Sequence, residues 1–181
     1  MKSFTPNARR ITAAVAIAGA LLVAPAIALA SAGSPARPDA AATPACETPG
    51  LVIWLDTSGN GAAGTTFYNL HLTNLSGHAC TLNGYPFLFA VNLRGHQVGP
   101  RATFRKPSPH QVTLGKGKTA TAVLGIVDTG NFSPSACHPV TAAGLRVFPP
   151  NQTRSKLVPF PFSTCSRAHG PASLNVGAVT K

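Results

Sequence analysis

Acidic side chains are scarce: four Asp and Glu stand against fifteen Lys and Arg in 181 residues. Beyond residue 45 only Glu47, Asp56 and Asp128 carry carboxylates, far apart in the chain. Paired-carboxylate acid–base chemistry would need folding to bring one of them to a second titratable group. The chain has no Gly-x-Ser-x-Gly, so it lacks the strand-to-helix elbow that exposes a serine nucleophile. It also lacks Cys-x-x-Cys, the usual opening of a thiolate zinc site. Gly115-Lys116-Gly117-Lys118-Thr119 ends like a phosphate-binding loop, but Val112 stands where the upstream glycine is required. That stretch reads as a turn with solvated lysines. No internal repeat and no sustained helical period is visible. These absences leave no residue to assign as catalytic and imply neither a cofactor nor a metal.

The N-terminal segment reads as an export signal. Lys2, Arg9 and Arg10 form a positive start, Ile11–Leu29 is apolar with Pro25 near its end, and Ala28 and Ala30 give a small-x-small cleavage site. Residues 1–30 are therefore expected to be a cleaved signal peptide. Residues 31–45, rich in Ala and Pro, are expected to be a flexible leader, because they have too little apolar surface to offset the entropy of ordering. Residues 46–181 remain as a single domain. No lipobox precedes Cys46, which follows Thr43-Pro44-Ala45, so no lipid anchor is expected there. After cleavage no transmembrane segment remains, and the expected location is extracellular, with possible association to the cell envelope.

Losing Lys2, Arg9 and Arg10 leaves twelve basic residues and the same four acidic ones, a net charge near +8. That balance favours anionic surfaces such as wall polymers or acidic lipid head groups. The cations are scattered, and only Arg105 and Lys106 are adjacent beyond the signal. A nucleic-acid module would cluster them and interleave aromatics, so no specific nucleic-acid binding is expected.

All four cysteines, Cys46, Cys80, Cys137 and Cys165, follow the signal segment. An even count in an exported chain reads as two disulfides. Three pairings are possible; the preferred one is Cys46–Cys80 with Cys137–Cys165, which staples neighbouring strands.

Turn residues recur at short intervals between alternating or apolar runs, the pattern of an all-β chain. Strands are expected at Leu51–Leu55, Thr65–Asn74, Phe87–Leu93, His96–Val98, Val112–Leu114, Thr119–Val127, Gly144–Phe148, Leu157–Phe162 and Leu174–Val179. The turn at Gly115–Lys118 is expected to join its two flanking strands as a pair. Pro159 and Pro161 cannot donate ladder hydrogen bonds, which places their strand at an edge. Arg101–Pro109 is expected to be a loop or an edge. The resulting fold is an immunoglobulin-like antiparallel β-sandwich with two disulfides; a closed barrel is the alternative. Its inward side chains are expected to include Val52, Trp54, Tyr68, Leu70, Leu72, Leu82, Phe87, Phe89, Val91, Val123, Val147 and Val176.

Six histidines are present, and His71 with His78 could meet if the intervening turn folded back. No carboxylate lies nearby in the sequence, so no metal site is assigned. Asn74-Leu75-Ser76 and Asn151-Gln152-Thr153 match the glycosylation pattern, which is short and frequent by chance.

The most ordered stretch is Gly61–Pro86, reading GAAGTTFYNLHLTNLSGHACTLNGYP. Asn74 and Gly77 suit a turn with positive φ. Gly84, Tyr85 and Pro86 frame a tight corner in which the Tyr85 ring is buried and its hydroxyl meets the backbone. Gly64 opens a strand ending Leu72-Thr73-Asn74, and Cys80-Thr81-Leu82 runs into the corner. Gly95 marks a turn, and Val112 and Leu114 precede the Gly117 turn. Cys137, then Leu145-Arg146-Val147 with Pro149-Pro150, and lastly Cys165 complete the set. In this order, from Cys46 to Val179, the chain resembles a family known as domain of unknown function 4232. The resemblance implies an exported protein of high-GC Gram-positive bacteria. Many such proteins look lipid-anchored at an N-terminal cysteine, a signal this chain lacks.

The functional expectation is a secreted, non-catalytic binding or interaction module with an anionic wall polymer or an extracellular protein as partner. Arg101, Arg105, Lys106 and His110 are the expected anionic contact. The alternatives are a small exported hydrolase, in which Asp56 or Asp128 meets a histidine in a cleft, and a purely structural secreted protein.

Overall fold

Alternating apolar side chains put most of the chain into strands in the computed structural model, which describes residues 42–181. The expected signal peptide, and the leader up to residue 41, lie outside the described residues. The strands are β1 (Leu51–Ala62), β2 (Thr65–Asn74), β3 (Cys80–Asn83), β4 (Phe87–Val91), β5 (Gln97–Arg101), β6 (Thr103–Phe104), β7 (Gln111–Leu114), β8 (Thr119–Val127), β9 (Pro139–Phe148), β10 (Lys156–Cys165) and β11 (Leu174–Val176). One short helix, α1 (Pro134–Cys137), precedes β9. A five-stranded sheet runs β1-β2-β8-β11-β6, a four-stranded sheet runs β10-β9-β4-β5, and β3 pairs with β7 in a two-stranded ribbon. The protein is all-β, with sheets packed into a sandwich. The strand pairs are antiparallel except β6 with β11, which is parallel.

The core lies between the sheets. Leu51, Leu70, Leu72 and Leu124 from the larger sheet and Leu88, Leu145, Val147 and Val158 from the smaller one are buried. Burial of each such side chain stabilises the fold by roughly 1.5–3 kcal/mol. Pro159 and Pro161 fall on β10, an edge strand, beside a register shift between Pro159 and Phe162.

Several sequence expectations are corrected. β1 is more than twice its expected length and has the opposite phase: Leu51 and Ile53 point inward, whereas Val52 and Trp54 are 45% and 46% exposed. Val123 is 41% exposed, with Ala122 and Leu124 buried on either side. Phe87 and Phe89 are only partly buried; Leu88 and Ala90 fill the core instead. On the outer surface Phe87, Phe89 and Phe148 pack ring against ring, with centroids 5.5–6.1 Å apart. The sequence reading omitted β3 and β6. β7 and β8 do not pair with each other: β7 pairs with β3, and β8 lies between β2 and β11.

Asn74 explains that last departure. Its amide N–H donates to Lys118 O at 2.9 Å, and its carbonyl accepts from Gly117 N at 2.7 Å. The end of β2 thus takes the backbone groups of the Gly115–Lys118 turn. The Asn74 side chain is fully buried. Its Nδ2 donates to His78 O (2.8 Å) and Leu114 O (3.0 Å), and its Oδ1 accepts from Ser76 N (3.0 Å) and Ser76 Oγ (2.7 Å). Gly77, with φ 86°, has the left-handed conformation; Asn74 does not. A buried carboxamide with this many partners is also closed to glycosylation in the folded chain.

Two disulfides tie peripheral segments to the sheets. Cys46–Cys80 bonds the stretch before β1 to β3, and Pro44 O accepts from Thr81 N at 2.8 Å beside it. Cys137–Cys165 bonds α1 to the end of β10.

The corner at Gly84 has φ 131°, and a Cβ there would stand 3.3 Å from Pro150 Cβ. Its carbonyl accepts from Val179 N at 3.0 Å, which docks the C-terminal segment. Tyr85 is half-buried, stacks on Phe104 at 4.7 Å and donates its hydroxyl to Pro107 O at 3.1 Å.

Two stability predictions follow from this geometry. Asn74→Ala strands several carbonyls around one buried point and is expected to destabilise the protein by about 2–4 kcal/mol in denaturant unfolding; a loss within about 0.5 kcal/mol of zero would contradict the role given to this side chain. Gly84→Ala, through left-handed strain, should cost about 1–3 kcal/mol, and Tyr85→Phe about 1 kcal/mol. An unchanged melting temperature in both would remove the corner from the account.

Candidate functional site

Three surface regions carry chemically distinctive side chains. The first is the basic edge that runs from Arg101 to His110. Arg101 ends β5 in the four-stranded sheet, and its guanidinium carbon lies 5.8 Å from the Phe87 ring centroid. Arg105 follows β6 in the five-stranded sheet, 4.7 Å from the Phe67 ring centroid, with its backbone N–H donating to Val176 O at 2.9 Å. The two arginines therefore rest on rings of different sheets. Residues 103–110, Lys106 and His110 among them, are exposed. The Tyr85 hydroxyl on Pro107 O holds the path of this segment.

Cation–π contact limits the freedom of a guanidinium while leaving its outer N–H groups open to a partner. The sequence contributes a second condition. No acidic residue occurs between Asp56 and Asp128, so this whole stretch brings no carboxylate of its own to neutralise Arg94, Arg101, Arg105, Lys106, Lys116 and Lys118.

The second region is a surface cleft of about 490 Å³ beside the β4–β5 hairpin, lined by Leu93, Arg94 and His96 on one side and by Ala142, Ala143 and Pro161 on the other. The sequence reading treated Leu93 as the end of a strand. The visible signal was an apolar residue inside the polar run Asn92-Leu93-Arg94-Gly95-His96, where nothing in a turn needs a leucine.

The third is Trp54 on the outer face of β1. Its ring stacks on His71 at 4.2 Å, and its Nε1 donates to Thr73 Oγ1 at 3.4 Å. His71 Nδ1 lies 3.1 Å from Thr121 Oγ1. His71 is thus engaged by Trp54 and Thr121, while the His78 backbone carbonyl accepts from Asn74. Among the described residues no group of three or more His, Cys, Asp or Glu side chains comes together.

Two of the carboxylates, those of Asp56 and Asp128, serve turns. Asp56 Oδ1 accepts from Ser58 N at 3.0 Å, and Asp128 Oδ1 accepts from Gly130 N at 2.9 Å. The Ser58 N–H, then its hydroxyl, hold the Asp56 carboxyl below its usual range, with a smaller attraction from His71. A depressed carboxylate pKa adds stability at neutral pH that is lost as the pH falls through the acid range.

The chain matches the family described as domain of unknown function (DUF4232) over residues 46–180. No curated protein and no solved structure matches it. The match takes in every strand of the sandwich and all four cysteines, and on that ground the chain belongs to the DUF4232 family.

Proposed function

We propose that the protein is an exported, non-catalytic interaction module that binds an anionic partner outside the cell through the Arg101–His110 edge. The partner class is an anionic cell-wall polymer or an acidic extracellular protein. One observation carries the reading: Arg101 and the exposed run 103–110 present Arg101, Arg105, Lys106 and His110 on either side of the buried Ala102, with the two arginines braced on Phe87 and Phe67 and no acidic residue in the surrounding stretch of chain. Arginines held in place lose less conformational entropy on binding than free ones.

Export is supported by the signal-like N-terminus and by two disulfides, which persist in oxidising surroundings. No helix among the described residues is long and apolar enough to cross a membrane. The non-catalytic part of the reading draws support from Asp56 and Asp128, whose carboxylates each accept from a turn N–H.

The double variant Arg105→Glu/Lys106→Glu is expected to lose about tenfold or more of its retention on the producing cell's envelope fraction at low salt. Wild-type retention should itself fall as ionic strength rises through about 0.1 M, because exposed charges are screened beyond a Debye length of roughly 10 Å. Equal retention of the double variant, with the wild type insensitive to salt, would overturn the proposal.

A further inference from the structure

We propose that the tip of the β4–β5 hairpin is a docking point for an anionic lipid bilayer, with Leu93 entering the headgroup–acyl boundary and Arg94 meeting lipid phosphates. This site is separate from the Arg101–His110 edge: it lies at the turn that opens β5, whereas Arg101 closes that strand.

The tip is built to display Leu93. Asn92 Oδ1 accepts from Arg94 N and His96 N, both at 3.0 Å, and the Asn92 backbone accepts from Gly95 N at 2.9 Å and donates to His96 O at 3.0 Å. From beneath, Arg146 donates to Gly95 O at 3.3 Å. Every bond in this network fixes the backbone, and none of them covers the leucine. Leu93 is 96% exposed, the highest value among the large apolar side chains that remain exposed. Single exposed leucines are ordinary on protein surfaces. A leucine at the apex of a turn braced by five hydrogen bonds, with a cation next to it, is a different arrangement, because the fixed backbone holds that residue at the outermost point of the hairpin.

Charge complementarity selects the occupant. Arg94 and His96 line the cleft beside the tip together with Ala142, Ala143 and Pro161, and no acidic residue lines it. The surface therefore offers a cation and apolar groups side by side. A soluble anionic polymer would use the cation and leave Leu93 in water. A bilayer with acidic head groups uses both, since apolar burial and attraction to anionic lipid add in interfacial binding. Leu93 supplies one short apolar anchor, so the docking is weak and reversible and depends on the lipid charge.

The test is hydrogen exchange on the full chain mixed with vesicles, read on the peptide that carries residues 91–98. A local readout is required because the apolar N-terminal segment can itself partition into lipid. Vesicles of phosphatidylcholine containing phosphatidylglycerol are expected to slow exchange at the tip, and to reach half of that slowing at a lipid concentration at least about fivefold lower than phosphatidylcholine alone, the effect of about one cation at an acidic surface. Leu93→Ser and Arg94→Gln should each abolish that slowing. Both side chains are exposed enough for the melting temperature to stay unchanged. Arg105→Glu/Lys106→Glu should leave the slowing intact, which separates a failure here from a failure of the envelope contact. The proposal is overturned if anionic vesicles leave the tip unprotected, if Leu93→Ser is protected as well as the wild type, or if a soluble glycerol-phosphate polymer protects the tip as strongly as the vesicles do.

Discussion

The architecture depends on two buried covalent constraints that tie segments lying outside the main strands to the core. The stretch around Cys46 and the loop that ends in α1 contribute little to the buried interior beyond their cysteines. Cys46–Cys80 closes a loop of sequence separation 34 and Cys137–Cys165 one of 28. On a chain-entropy argument each closure is worth roughly 3–4 kcal/mol, so the two together are comparable to the margin of about 5–15 kcal/mol by which a domain is folded. The first bond ties the segment that leads into β1 to the start of β3. The second fixes the end of β10, the strand weakened by Pro159 and Pro161. The Asn74 carboxamide then locks β2, β7 and the entry to β8 at a point no disulfide touches.

The parts of the fold legible in the sequence are those with a clean period or a chemical prohibition. β2 alternates without a break from Tyr68 to Thr73, and its ends are those expected, as are the ends of β8. The prolines of β10 force an edge. Legibility fails where a run is apolar throughout. Leu51-Val52-Ile53-Trp54-Leu55 fits either phase; pairing of Trp54 with His71 and Leu55 with Leu70 settles it only once β2 is in place. Phe87-Leu88-Phe89-Ala90-Val91 has the same ambiguity, and there the larger rings lie on the outer surface against Phe148. The Gly115–Lys118 turn has the composition of a hairpin and keeps its own Lys118 N to Gly115 O bond, yet the Asn74 backbone, some forty positions upstream, bonds Gly117 N and Lys118 O. No local rule can anticipate a distant residue that docks on a turn.

The candidate surfaces divide in the same way. The gathering of Arg101, Arg105, Lys106 and His110 within ten residues points to the basic edge. What could not be read was that Arg101 and Arg105, four residues apart, brace against rings of different sheets, because that depends on the chain crossing from β5 to β6. The Leu93 tip and the Trp54–His71 stack likewise emerge only when strand phase and turn geometry are known. The functional proposals rest on this contrast between an interior well supplied with apolar contacts and a surface rich in unneutralised cations.

The central claim is that the two named sulfur bridges, with no free thiol, hold the sandwich closed. Peptide mapping of the unreduced protein by mass spectrometry tests it most directly. Cross-linked peptides joining Cys46 to Cys80 and Cys137 to Cys165 are expected, with no cysteine open to alkylation before reduction. Four alkylated cysteines, or bridges that join Cys46 or Cys80 to Cys137 or Cys165, would contradict it.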